Sequence, residues 1–252
     1  MAAAVHFEND HGEMLAGTLH LPEGNASKGV IIGHCFTCSR HTSILRETAR
    51  KLTERGIAAL RFDFSGNGQS GGDFINTAYT RHIREMELAR DFLAGRGILR
   101  LGLAGHSMGA AIAVLSADRI AGVVGICAVA GRLGGLDPEA SFSAEAMAEL
   151  RRTGRMHFQS RGRELTLSKA FFEDAARYDI QETLAALATP LLVVHGDRDE
   201  IIPATHARAA KDRNPGARVE IIPGADHMFS DAGLRERAAD LMAAWFEARF
   251  KR

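Results

Sequence analysis

Six short strand-like runs, at residues 29–33, 57–64, 98–104, 121–130, 190–195 and 219–222, are spaced by stretches that read mainly as helices. The first, Gly-Val-Ile-Ile-Gly, is short and continuously apolar, as suits a strand covered on both faces. Strands and helices in alternation, joined by short connections, predict a mostly parallel sheet with helices on both sides. The helical patterns cover about residues 44–55, with Leu45, Ala49 and Leu52 on one face, then 78–93, 110–117 and 235–250, the last with Leu241, Trp245 and Phe246. A hairpin precedes them, residues 5–8 and 15–21, turned through Asn9, Asp10 and Gly12. Its two strands bring the predicted sheet to eight.

One stretch breaks the alternation. Between Gly131 and Thr189 no strand is evident; the segment carries helical patches, many charges and the aromatics Phe142, Phe158, Phe171 and Phe172. It reads as an insertion after the sixth strand, so that residues 1–130 and 189–252 form the core and 131–188 a helical lid. No internal repeat, low-complexity tract or linker divides the 252 residues into independent domains.

Thirty-one basic and 31 acidic residues cancel, so nothing in the charge calls for a nucleic-acid or membrane partner. The start, Met1 to His6, lacks the basic and apolar regions of a signal peptide, and charges or glycines interrupt every apolar run before it reaches membrane-spanning length. A cytoplasmic protein is expected, monomer or homodimer. The three cysteines, Cys35, Cys38 and Cys127, are too few and too odd in number for a disulfide framework. Cys35-x-x-Cys38 lies in a strand-exit loop instead of opening a helix, which disfavours a redox or metal role. No histidine pair has metal-ligand spacing with a supporting acid, so no metal is expected.

The chemistry concentrates at Gly105-His106-Ser107-Met108-Gly109, at the junction of the strand at 98–104 and the helix at 110–117. A serine on so sharp a strand-to-helix turn needs unbulky neighbours two before and two after it, and Gly105 and Gly109 supply them. The hydroxyl then stands at a helix N-terminus, where partial positive charge favours a developing anion. The bland alternative is that Ser107 only caps a helix. Context favours a nucleophile.

A serine hydroxyl needs a base, and the base needs an orienting acid. His227, in the loop between the last strand and the last helix, lies at the carboxyl edge of the sheet where ligands gather in open α/β folds. Just beyond the strand at 190–195, Asp197, Asp199 and Glu200 offer carboxylates. Asp199 is preferred because the turn returns it to the sheet edge; Asp197 is the alternative, open to a turn role, and Glu200 faces solvent. His34, His106 and His195 each end a strand and read as packed, hydrogen-bonded residues. The oxyanion donors expected by position are the backbone N–H groups of Met108, after the nucleophile, and of Phe36, in the loop at 33–38. Gly66-Asn67-Gly68-Gln69-Ser70-Gly71 matches a dinucleotide fingerprint, but Gly72-Asp73-Phe74 prolongs the loop where a helix should begin, so no nicotinamide or flavin cofactor is expected.

Taken together, His34-Cys35-Phe36, Arg61 through Ser70, the serine elbow, His195 through Pro203 and Gly224 through Asp231 resemble the α/β-hydrolase superfamily over nearly the whole chain. The resemblance is closest to small serine esterases such as the cinnamoyl and feruloyl esterases. His34 to Ser39 also looks like hydrolases fused to an osmotically induced peroxidase-like domain, of which nothing is present here. The family pattern implies the order serine, acid, histidine, with the acid four residues after a strand-ending histidine, hence Asp199. It implies oxyanion donors at Phe36 and Met108, although His34-Cys35 departs from its usual His-Gly. The expected activity is hydrolysis of small-molecule carboxylic esters, with thioesters open to the same chemistry, through an acyl-enzyme on Ser107. Two other readings are a ligand-binding pseudoenzyme or receptor, and an acyltransferase or perhydrolase with the same triad. The insertion's arginines, Arg151, Arg152, Arg155, Arg161 and Arg163, read as a solvated face balanced by Glu145, Glu149 and Glu164, with recognition of an acidic substrate as the alternative.

Overall fold

The computed structural model of the protein describes residues 1–251. Ten strands form: β1 (Ala2–Glu8), β2 (Met14–His20), β3 (Lys28–Gly33), β4 (Ala58–Phe62), β5 (Arg100–His106), β6 (Val123–Val129), β7 (Arg155–Ser160), β8 (Arg163–Ser168), β9 (Leu191–Gly196) and β10 (Arg218–Ile222). The eight helices are α1 (Ser43–Thr53), α2 (Tyr79–Ala94), α3 (Met108–Ser116), α4 (Ala144–Thr153), α5 (Lys169–Ala175), α6 (Ile180–Ala186), α7 (Thr205–Arg213) and α8 (Ala232–Phe250).

Eight strands make one sheet in the order β1-β2-β4-β3-β5-β6-β9-β10. Only β1/β2 and β2/β4 pair antiparallel; from β4 to β10 every pairing is parallel. The central strands are buried along almost their full length because both of their faces are covered. Successive side chains alternate between two cores, as strand geometry requires. Ile31, Leu60, Leu103 and Val193 join the core beneath α2 and α3, while Val30, Ala59, Ala104 and Val194 join the one beneath α1 and α8. The expected eight-stranded, doubly covered sheet is therefore the architecture observed. Strand β5 lies near its middle, so whatever leaves its carboxyl end sits over the centre of the molecule.

The stretch after β6 is not helical throughout. Besides α4, α5 and α6 it contains the antiparallel hairpin β7–β8, paired from Arg155↔Ser168 to Ser160↔Arg163. The sequence reading saw no strand there, and the reason is composition: β7 and β8 are rich in charged and polar residues and bury one face only. Met156 and Phe158 alternate with His157 and Gln159, and Leu165 and Leu167 mirror them across a two-residue turn at Arg161-Gly162, where both residues have positive φ. That two-residue turn between alternating runs is the signal that could have revealed the hairpin. Helix α7, between β9 and β10, is a further element beyond those expected. No helix among the described residues is long and apolar enough to cross a membrane.

Candidate active site

Between β5 and α3 the chain turns on Ser107, whose backbone takes φ 59° and ψ −116°. A non-glycine residue held there is strained, and such strain persists only where its surroundings fix it. Its N–H is fixed by the Val129 carbonyl at 2.8 Å. The flanking glycines are required by contact: a Cβ on Gly105 would come to 2.0 Å from the Gly109 oxygen, and one on Gly109 to 2.5 Å from the Gly33 backbone. The elbow therefore packs backbone against backbone and lifts the serine hydroxyl over the sheet edge.

The His227 ring stands beside that hydroxyl, with Nε2 3.1 Å from Ser107 Oγ. Its other nitrogen, Nδ1, lies 2.8 Å from Asp199 Oδ2. Proton placement follows from the acceptors: a carboxylate can only accept, so Nδ1–H donates to Asp199 and Nε2 is free to accept from Ser107. Asp199 follows β9 and closes its own turn, its Oδ1 accepting the N–H groups of Ile201 at 3.0 Å and Ile202 at 2.8 Å. Burial works against the charge on Asp199, but hydrogen bonds from His195, His227 and the Ile202 N–H outweigh it and hold the carboxyl well below the usual carboxylate range. Asp199 is thus a fixed anion behind the imidazole.

The other two carboxylates lie elsewhere. Asp197 accepts the Gly224 N–H at 2.6 Å and ties the β9 loop to the β10 loop, and Glu200 is exposed. Asp226, next to His227, accepts the Ser230 N–H at 2.8 Å. The strand-ending histidines are braces. His106 Nε2–H donates to the His227 carbonyl at 2.7 Å, and burial drives its pKa down to about 3, so the ring is neutral. His195 Nε2–H donates to the Ile202 carbonyl at 2.7 Å and passes 3.2 Å from Asp199 Oδ2. His34 Nδ1–H donates to the Cys35 carbonyl at 2.6 Å, while its Nε2 accepts the Phe64 N–H at 2.9 Å.

His34 thereby positions the loop that faces the elbow. Within the loop the Cys38 N–H bonds to the Cys35 carbonyl at 3.2 Å, and Cys35 and Cys38 are joined as a disulfide; Cys127 is free and buried. The cysteine count argues against a disulfide framework, and this single bridge is local: a tight turn brings the two Cα atoms within 5.2 Å. Beyond it, buried Asp63 pairs with Arg40 and accepts the Arg40 N–H at 2.6 Å and the Gln69 N–H at 2.9 Å. Among the described residues, no hydrogen bond engages the N–H of Phe36 or of Met108. Both residues line the same cavity as Ser107 and His227.

That cavity, about 710 Å³, is walled on the core side by Phe36, Tyr79 and Met108 and on the other by Phe142, Phe158 and Phe171 from residues 131–188. The rings are in mutual contact, Phe36 stacking on Phe158 with centroids 6.1 Å apart and meeting Phe171 at 5.2 Å. At the hairpin tip Thr37 Oγ1 and Ser160 Oγ share a hydrogen bond of 2.7 Å, and Arg161 Nη2 donates to Met228 Sδ at 3.4 Å. Thr37, Tyr79, Arg132 and Met228 are lining residues the sequence reading did not single out; Thr37 and Met228 were findable as immediate neighbours of Phe36 and His227.

The sequence profile of the alpha/beta hydrolase family matches residues 30–244. The chain belongs to the alpha/beta hydrolase family. Among curated proteins, this hydrolase is 24% identical over 262 residues to a monoacylglycerol lipase of Mycolicibacterium smegmatis, covering 89% of each chain. Among solved structures, it superposes on Est1E from Butyrivibrio proteoclasticus with ferulic acid bound at a TM-score of 0.85 and 22% identity, covering 99% of this chain and 100% of that one. It matches an esterase domain of a Rhodothermus marinus protein at a TM-score of 0.77 and 24% identity, with 98% of both chains covered. At these identities the superpositions speak for the fold.

Proposed function

We propose that the protein is a serine esterase that cleaves small carboxylic esters, and thioesters by the same route, through an acyl-enzyme on Ser107. The observation that carries this reading is the unbroken hydrogen-bond chain from Ser107 Oγ through His227 to Asp199 at the floor of an aromatic-lined cavity. His227 Nε2 takes the hydroxyl proton as Ser107 Oγ attacks the substrate carbonyl. The proton makes the ring cationic, and the fixed Asp199 anion stabilises that cation. The carbonyl oxygen becomes an oxyanion. The N–H groups of Phe36 and Met108, without protein acceptors, are the donors for it, each worth about 100- to 1,000-fold in rate. His227 then protonates the leaving alcohol or thiol, and a water molecule repeats the cycle to release the acid.

Residues 131–188 act as the lid: they supply one wall of the cavity and none of the reacting groups. Their phenylalanines favour an apolar group on one side of the scissile bond. The similarity to a monoacylglycerol lipase supports ester chemistry.

Hydrolysis of p-nitrophenyl esters from acetate to palmitate tests the proposal, with the Ser107→Ala protein alongside. Turnover confined to the unmodified protein is the expected result, and the length profile sizes the chamber. Equal rates in both proteins would remove Ser107 from the mechanism. Failure of both to turn over or acylate with any ester in the series would favour a binding role for the fold.

A further inference from the structure

A second recess, about 590 Å³, opens directly beside the catalytic cavity and shares Thr37, Arg161 and Met228 with it. Its walls carry Arg161, Arg163 and Arg235, together with His41, and no aspartate or glutamate. Three guanidinium groups around one hollow repel one another unless carboxylates intervene. Among the described residues, none of the three forms a salt bridge. Arg161 donates to Met228 Sδ, Arg235 donates to the carbonyls of Phe229 and Ser230 at 3.0 Å each, and no hydrogen bond occupies the Arg163 side chain. Glu47 is the carboxylate that feels Arg235, and it spends its own hydrogen bond on Arg50. The first turn of α1 also opens here: Ser43 lines the recess, the turn contains no acidic residue, and Thr42 provides no side-chain cap. Of the other arginines between 151 and 163, Arg151, Arg152 and Arg155 line neither hollow. The arginines of 151–163 thus divide, and Arg161 and Arg163, at the hairpin turn, face the site.

We propose that this recess receives an anionic group, a carboxylate or a phosphate, carried by the substrate on the far side of the scissile carbonyl from its apolar portion. The inference rests on the esterase reading of the adjoining cavity. The aromatic chamber takes the apolar end, Ser107 attacks between, and the charged end passes the Thr37–Met228 threshold to meet Arg161 and Arg163. Guanidinium groups suit both anions because their paired N–H donors match two oxygens at once. Exposed arginines lose much of their attraction to salt, so the preference is steepest at low ionic strength.

The test sets a neutral substrate against one carrying an anion on the same side of the scissile carbonyl. p-Nitrophenyl butyrate is set against the mono-p-nitrophenyl ester of succinic acid for a carboxylate on the acyl side. The butyryl thioester of N-acetylcysteamine is set against that of coenzyme A for phosphates on the leaving side. One anionic member is expected to exceed its neutral partner in kcat/KM by about 10-fold or more at low salt, and the pair that shows it identifies the anion. Arg163→Gln should reduce that ratio several-fold and Arg163→Glu should abolish or invert it. Raising sodium chloride should shrink the ratio in the unmodified protein, a readout independent of any variant's folding. Ratios near one for both pairs, or a ratio indifferent to Arg163→Glu and to salt, would overturn the proposal. If no neutral or charged substrate is turned over, the esterase reading itself falls. Calorimetry of inorganic pyrophosphate binding to the Ser107→Ala protein, with and without Arg163→Glu, then decides the recess alone: binding lost with the charge supports it, and no binding overturns it.

Discussion

At the residue scale, Asp199 and Asp197 are the instructive pair, because two carboxylates two positions apart have opposite surroundings. Asp199 is buried with four N–H groups around it, from Ile201, Ile202, His195 and His227. Asp197 is exposed and bonds the Gly224 backbone. Replacing Asp199 with Asn keeps the volume but removes the anion and offers the imidazole an amide, so the ring is no longer held in the tautomer that accepts from Ser107. Turnover by Asp199→Asn should drop by roughly 1,000- to 10,000-fold. Asp197→Asn retains an acceptor for the Gly224 N–H and should change kcat/KM by less than about 3-fold. Steady-state kinetics of both variants on one p-nitrophenyl ester checks the assignment, and the reverse order of damage would transfer the acid to Asp197. Sequence reasoning preferred Asp199 on the reach of its turn, but it could not foresee how far the brace extends. That His106 would bond the backbone of His227 follows only from a contact spanning 121 positions in the chain.

Elements carry the strain at Ser107, the nucleophile of the proposed mechanism. Gly109 sits in the first turn of α3, pressed against Gly33 at the end of β3, so the helix approaches the sheet more closely than any side chain permits. Its partner Gly33 itself faces the Phe64 ring, where a Cβ would stand 3.0 Å away. A methyl at position 109 has to push rigid backbone aside, and overpacking of this sort typically costs about 1–3 kcal/mol. Gly109→Ala should lower the denaturation midpoint accordingly and depress activity further by displacing Ser107 from His227. Unchanged stability would mean that the contact between α3 and β3 is looser than the structure describes. The elbow was legible from five residues because its geometry tolerates so few alternatives. The β7–β8 hairpin was not, since Arg155, Gln159, Arg163 and Glu164 hide a two-residue alternation that becomes a sheet only when Met156 and Leu167 find the core beneath them. The main sheet had no such ambiguity: both faces of β3 and β5 are apolar, and no other arrangement buries them.

For the whole molecule, burial of neutral histidines sets the response to acid. His34, His82 and His106 have no exposed surface, and desolvation lowers the pKa of each below the ordinary value of about 6.5. The unfolded chain takes up protons at these positions as pH falls through about 6.5, and the folded chain does not. Stability is therefore complete above that pH and declines below it, for His106 until about pH 3. Each such group contributes about 1.4 kcal/mol per pH unit inside its window. Denaturant unfolding at pH 7.5, 6 and 5 should show a steepening loss, and a flat profile between pH 7.5 and 5 would contradict neutral burial.

The tip of the β7–β8 hairpin meets the scaffold through contacts of modest strength, one hydroxyl pair between Ser160 and Thr37 and one sulfur contact between Arg161 and Met228. Among the described residues, no hydrogen bond from the hairpin or its flanking helices reaches Ser107, His227 or Asp199, which are held from the strands and loops below. On the proposed esterase reading, the protein is separable as a machine is into engine and chuck. A lineage, or a designer, could reshape one wall of what the tool grips by rewriting residues of the hairpin and leave the drive untouched.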